Sequence, residues 1–116
     1  MSLAANLPVR VTDRAVEFQA VVSNTGSEPI ELTFPSGLRI DIKVRPADDP
    51  EGEPVWRWSD GRAFTQAIEH ETVAPGEAVT QGGTWAHPPE GAYVVTATLQ
   101  AANSEADATV SFEVTA

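Results

Sequence analysis

Leu38-Arg39-Ile40-Asp41-Ile42-Lys43-Val44-Arg45 decides how this chain is read. Aliphatic and charged side chains alternate without a break along it. Successive side chains on a pleated backbone point to opposite faces, so a period of two marks a strand with one buried face. The stretch therefore predicts Leu38, Ile40, Ile42 and Val44 inside, with Arg39, Asp41, Lys43 and Arg45 outside. The same pattern recurs in both directions. Val16, Phe18, Ala20 and Val22 alternate with Glu17, Gln19 and Ser23, Val21 being the exception. Ile30, Leu32 and Phe34 alternate with Glu31 and Thr33. Tyr93, Val95, Ala97 and Leu99 alternate with Thr96, Thr98 and Gln100, and Ala108, Val110, Phe112 and Val114 with Thr109, Ser111, Glu113 and Thr115.

Weaker strand candidates cover residues 7–12, 55–59 and 78–85. Turn formers separate the runs: Asp13-Arg14, Asn24-Thr25-Gly26-Ser27-Glu28-Pro29, Pro35-Ser36-Gly37, Pro75-Gly76-Glu77 and Pro88-Pro89-Glu90-Gly91. Glycine reaches the positive φ that such turns require, and proline presets its own φ. About eight short strands with turn signals every ~8–12 residues predict an all-β, antiparallel sandwich. Residues 60–69 break the pattern. Ala63, Phe64, Ala67 and Ile68 have helical spacing behind Ser59 or Asp60 as N-cap, which predicts one short helical turn crossing between the sheets. Residues 46–54, Pro-Ala-Asp-Asp-Pro-Glu-Gly-Glu-Pro, are polar enough to form a long loop.

The length of 116 residues predicts a single domain over 1–116. With 41% hydrophobic and 21% charged residues, the composition is that of a globular protein. No cysteine is present, which excludes disulfides, thiolate-bound zinc and iron–sulfur clusters. Seventeen acidic against seven basic residues give a formal charge of −10, and Lys43 is the single lysine. Nucleic acid and anionic membranes both need clustered cations, so neither is expected as a partner. Acid excess with one lysine suits a halophilic chain, where salt screens self-repulsion; it equally serves ordinary solubility. Met1-Ser2-Leu3-Ala4-Ala5-Asn6 lacks the basic start and apolar run of a leader, so the reading is cytoplasmic.

Little in the chain points to catalysis. His70 and His87 stand 17 residues apart with no metal-ligand spacing around them. No Gly-x-Ser-x-Gly elbow exposes a serine. Asp48, Asp49, Glu51 and Glu53 lack the spacing of a calcium loop. No cofactor, metal or catalytic residue is expected, and the chain is not read as an enzyme. Gly82-Gly83 lies inside a strand, where it marks a bulge or a close backbone approach. Val55-Trp56-Arg57-Trp58-Ser59 is the most unusual stretch. Alternation places both indoles on one face, either capping the core together with Phe64 and Trp85 or forming an exposed platform.

At these residues the sequence resembles a known family. Phe34-Pro35-Ser36-Gly37 with Asp41 and Val44, then Val55-Trp56-Arg57-Trp58-Ser59, Phe64-Thr65-Gln66-Ala67, Pro75-Gly76-Glu77, Trp85 and Gly91-Ala92-Tyr93 are similar in order and spacing to the BsuPI intracellular proteinase inhibitors. The resemblance covers about residues 16–100. It implies an immunoglobulin-like sandwich whose partner is a serine proteinase of the subtilisin type, blocked by occlusion of its active site. A loop or edge strand would then lie along the cleft as an added strand. Arg57, Ser59, Asp60 and Arg62 are the candidate partner-binding residues; Trp56, Trp58, Phe64 and Trp85 are the candidate aromatic core. The competing reading is an immunoglobulin-like interaction module with a non-proteinase partner.

Overall fold

The alternating runs become strands in the computed structural model, which describes residues 2–115. The strands are β1 Leu3–Asn6, β2 Val9–Val11, β3 Ala15–Asn24, β4 Ile30–Phe34, β5 Ile40–Pro46, β6 Trp56–Arg57, β7 Glu69–Val73, β8 Ala78–Ala86, β9 Gly91–Leu99 and β10 Asp107–Val114. Every pairing is antiparallel. β3 is the axis of the first sheet: β1 and β2 share one of its sides, and β8 runs along the other from Ala15↔Ala86 to Ser23↔Ala78. The second sheet has the order β10-β9-β5-β6, and β4 pairs with β7 as a third.

The period of two is realised in the burial. Val16, Ile40, Ile42, Val44 and Val95 are fully buried, while their sequence neighbours Glu17 and Thr96 lie outside the core. Rings then join the two larger sheets across the core. Phe18 of β3 stacks on Trp56 of β6 at 5.4 Å and meets Phe112 of β10 edge-on at 5.8 Å. Phe112 stacks on Tyr93, which meets Trp85 edge-on at 5.0 Å. Tyr93 also donates its phenol to the Pro89 carbonyl at 2.8 Å, so the polar end of the ring is satisfied.

Gly83 is a point of close approach rather than a bulge, because β3 and β8 pair residue for residue through it. A Cβ there would lie 3.0 Å from Trp58 Cδ1 and 3.2 Å from Trp56 Cη2. Both indoles thus rest on bare backbone. At Gly82 the same atom would meet the Gln19 amide oxygen at 3.1 Å, at the end of a flexible side chain, and the Phe18 carbonyl at an ordinary contact of 3.8 Å. Gly83→Val is expected to destabilise the fold by about 1–3 kcal/mol through overpacking. Gly82→Val should stay within ~0.5 kcal/mol of wild type, as surface changes do. Urea denaturation of the two variants checks the contrast.

The sequence-based fold class needs correction. Among the described residues there are ten strands rather than about eight, they form three sheets rather than two, and the sheets do not close into an immunoglobulin-like sandwich. No helix occurs among the described residues. Residues 60–69 were expected to form a helical turn, but they make one tight turn, an irregular segment and then the start of β7. A helix that short has too few hydrogen bonds to offset its nucleation. Here Phe64 turns onto Trp58, and Ile68 is 67% exposed, leaving no apolar face to bury.

Candidate functional site: a pinned turn and the segment beyond it

β6 is short because its chain leaves the sheet almost at once. Val55 N–H donates to the Val44 carbonyl at 2.7 Å and Trp58 N–H to that of Ile42 at 2.9 Å, and there the ladder ends. Two overlapping bonds then fold the backbone: Asp60 N–H to the Arg57 carbonyl and Arg62 N–H to that of Ser59, each 3.2 Å. Gly61, at φ +75°, supplies the left-handed residue at the tip, with open space where a side chain would stand.

The turn closes over Asp41. Strand alternation puts this carboxylate on the outer face of β5, yet it is only 5% exposed. Its Oδ1 accepts from the N–H groups of Ile42 (3.0 Å) and Ser59 (3.2 Å), and its Oδ2 accepts from the Ser59 hydroxyl at 2.8 Å. A buried carboxylate is tolerable only when it is hydrogen-bonded, and three donors meet that need. Asp41→Ala is expected to cost about 2 kcal/mol and to remove the protection of the Ser59 amide, because three donors lose their acceptor. Hydrogen exchange with thermal unfolding reads both effects.

Residues 62–68 run on from the turn without helical hydrogen bonding, and none has a positive φ. Side chains fasten this segment at intervals. Arg62 Nε donates to the Trp58 carbonyl at 2.8 Å while its guanidinium lies 4.4 Å above the Trp58 ring. Phe64 packs on the same indole at 5.8 Å. Gly37 N–H donates to the Thr65 carbonyl at 2.9 Å, and Gln66 Nε2 to that of Phe64 at 3.1 Å. The Thr65 hydroxyl donates to Glu69 Oε2 at 2.6 Å, and Arg39 holds Glu69 Oε1 at 2.8 Å while lying over the Phe34 ring. Ala63, Gln66, Ala67 and Ile68 are left exposed.

The Thr65 hydroxyl, and after it the Arg39 guanidinium, hold the Glu69 carboxyl below its ordinary pKa against a weaker opposing effect of burial. A carboxyl depressed on folding stabilises the protein fully above its unfolded-state pKa, and that share is lost as pH falls through the lower folded value. Wild type should therefore lose its stability margin over Glu69→Gln as the medium is acidified below about pH 4.5, the ordinary value for the group. Paired melting curves between neutral and acid pH test this; a margin independent of pH would contradict it.

The structure distributes the residues singled out in the sequence. Ser59 is half-buried and serves as the donor to Asp41, whereas Asp60 and Arg62 are exposed on the turn. Arg57 sits on β6 directly opposite Lys43. Trp85 is buried in the core and is linked to Trp56 through the rings of Tyr93, Phe112 and Phe18; Trp56 and Trp58 meet over Gly83, and half-buried Phe64 packs on Trp58. Sequence reasoning missed Asp41 as a site residue, since period two alone assigns it to solvent. The loop at 46–54 is tied down by turns, with Arg45 Nε donating to the Gly52 carbonyl at 2.8 Å. Among the described residues no three His, Cys, Asp or Glu side chains converge as a metal site.

The family model described as BsuPI, intracellular proteinase inhibitor, matches residues 3–104. The chain belongs to that family. BsuPI membership classes it with inhibitors rather than enzymes. No curated protein matches the chain. Among solved structures, this BsuPI chain is similar to a beta-glucosidase from Kluyveromyces marxianus at 14% identity and TM-score 0.52, covering 99% of this chain and 14% of that one. It is likewise similar to beta-glucosidase 3B from Thermotoga neapolitana, solved in complex with glucose, at 12% identity and TM-score 0.53, covering 99% and 16%. The BsuPI chain thus spans about a seventh of the length of those enzymes, and the likeness concerns the fold alone.

Proposed function

We propose that this chain inhibits a serine proteinase of the subtilisin type by occluding its active site, with the β6–β7 connection as the contact surface. Family membership over residues 3–104 supports the inhibitory role. The observation that carries the choice of surface is the clamp of Asp41 on Ser59. An inhibitor must present its contact loop already shaped, because a loop that orders on binding loses affinity and a mobile one is cut. Disulfides cannot supply that stiffness in a chain without cysteine. In this reading the carboxylate clamp and the Trp58–Arg62 stack supply it instead. Asp60 and Arg62 meet the proteinase directly, Arg57 flanks them, and Ser59 holds the turn in shape.

The reading treats residues 1–116 as one inhibitory domain acting in the cytoplasm. No helix among the described residues is long and apolar enough to cross a membrane. The test is titration of the purified chain into a subtilisin-type proteinase with a chromogenic peptide substrate, at low and at molar salt, since a charge of −10 makes the encounter salt-dependent. Stoichiometric loss of activity in either medium is the expected result. Full activity in both, with digestion of the chain, would overturn the proposal.

A further inference from the structure

Within the β6–β7 connection, we infer that residues 66–68, Gln66-Ala67-Ile68, are the part that enters the proteinase cleft, with Ile68 as the apolar anchor. This inference rests on the inhibitory reading above and narrows it to one segment. Three observations converge on the segment. Ile68 is the most exposed large hydrophobic side chain among the described residues, at 67%. It lies next to fastened chain rather than on a free loop: Thr65 is tied to Gly37 and Glu69, and Glu69 opens β7 by pairing with Phe34. Between those ties, Gln66 and Ala67 belong to neither helix nor strand and are exposed.

A proteinase cleft recognises an extended backbone by hydrogen bonds and reads alternate side chains in pockets. It therefore needs main chain that the inhibitor has not already used. The Ser59–Arg62 turn is poorly suited, because Ser59 N–H is taken by the Asp41 carboxylate, Asp60 N–H by the Arg57 carbonyl and Arg62 N–H by the Ser59 carbonyl. Residues 66–68 meet the need. Among the described residues, their backbone makes no hydrogen bond to another part of the main chain outside the regular ladders, whereas Thr65 immediately before them does. The turn then acts as a shoulder: Arg62 on Trp58 fixes where the segment begins, and the Arg39–Glu69 pair fixes where it ends.

Ile68→Asp and Ala67→Asp separate this inference from the reading beneath it, with Val11→Asp on β2, in the first sheet, as control. All three sites are exposed, so folding is checked by melting temperature and is expected to hold. Inhibition constants are measured against subtilisin with a peptide substrate. Wild type and Val11→Asp should inhibit equally, while each change in the segment should weaken inhibition about 30-fold or more, as loss of a buried interface anchor does. Prolonged incubation should place the first cut in wild type within residues 65–69, mapped by mass spectrometry. Unchanged inhibition by both segment variants overturns the inference and leaves the inhibitory reading standing. Failure of wild type to inhibit removes both.

Discussion

Asn24→Asp is expected to destabilise the protein by about 3–5 kcal/mol at neutral pH, although the two side chains have the same shape. Asn24 ends β3 and is 1% exposed. Its Nδ2 donates to the carbonyls of Glu28 (2.8 Å) and Val73 (2.9 Å), and its Oδ1 accepts the Gly26 N–H at 2.9 Å. The backbone joins in: Asn24 N–H donates to the Glu77 carbonyl, and Gly76 N–H to that of Asn24. One amide therefore fastens the end of β3, the turn before β4, the end of β7 and the turn before β8. A carboxylate would aim a charged oxygen at two carbonyl oxygens in a site only 1% exposed. The group would be driven toward its protonated form in the folded state, so its folded pKa would rise above the unfolded ~3.9. The loss should accordingly be small in acid and grow as pH rises past that value, because ionisation destabilises here whereas ionisation of Glu69 stabilises. Denaturant unfolding at two pH values tests the sign; equal losses at both would contradict the argument.

Phe18→Ala is the second large effect, expected at about 3–5 kcal/mol. Phe18 is 3% exposed and is where the two larger sheets meet, touching Trp56 on one side and Phe112 on the other. Its strand partner is Gly83, which offers no Cβ to refill the space. The cavity would also free Trp56, and with it the short β6 from which the pinned turn springs. Domains of this kind retain only ~5–15 kcal/mol of net stability, so the substitution should remove a large share. A drop of roughly 4 °C in Tm per kcal/mol is the readout. A change below ~1 kcal/mol would mean that the rings are not the joint between the sheets.

How much of this was visible in the residues follows from what produces a pattern. β3, β4, β5, β9 and β10 bury one face against a core, so hydropathy alternates and the sequence declares them within a residue or two. β1, Leu3-Ala4-Ala5-Asn6, and β7, Glu69-His70-Glu71-Thr72-Val73, leave no such trace. β7 is polar from Glu69 to Thr72, with Glu69 and Glu71 answering Arg39, a charge pairing that no hydrophobic period records. Their absence from the sequence reading explains the shortfall in strand number and the missed third sheet. The helical spacing of Ala63, Phe64, Ala67 and Ile68 misled for the opposite reason. It is a true period without a surface to bury it against.

Asp41 shows the same limit at the site. Alternation assigns it correctly to the outer face of β5, but nothing local says that a turn 18 residues later folds over that face. The aromatic stretch around Trp56 and Trp58 was a better guide, since two indoles in three residues demand an unusual neighbour, and Gly83 is that neighbour. In the proposed contact segment, the spacing of Ala67 and Ile68 points to a helix that the structure does not form. Its exposure emerges only from three dimensions.

The pairing of β3 with β8 also governs how the protein comes into being. Ala15 must find Ala86, and Val16 must find Trp85, across most of the chain. Long loops have to close before that ladder yields any gain, which places such topologies among slow folders, in the millisecond-to-second range. On the ribosome, β3 can zip early with β1 and β2, but its other edge stays bare until β8 has emerged. For that interval a ten-residue β3, rich in valine and flanked by unsatisfied amides, is the part of the nascent chain most in need of a chaperone.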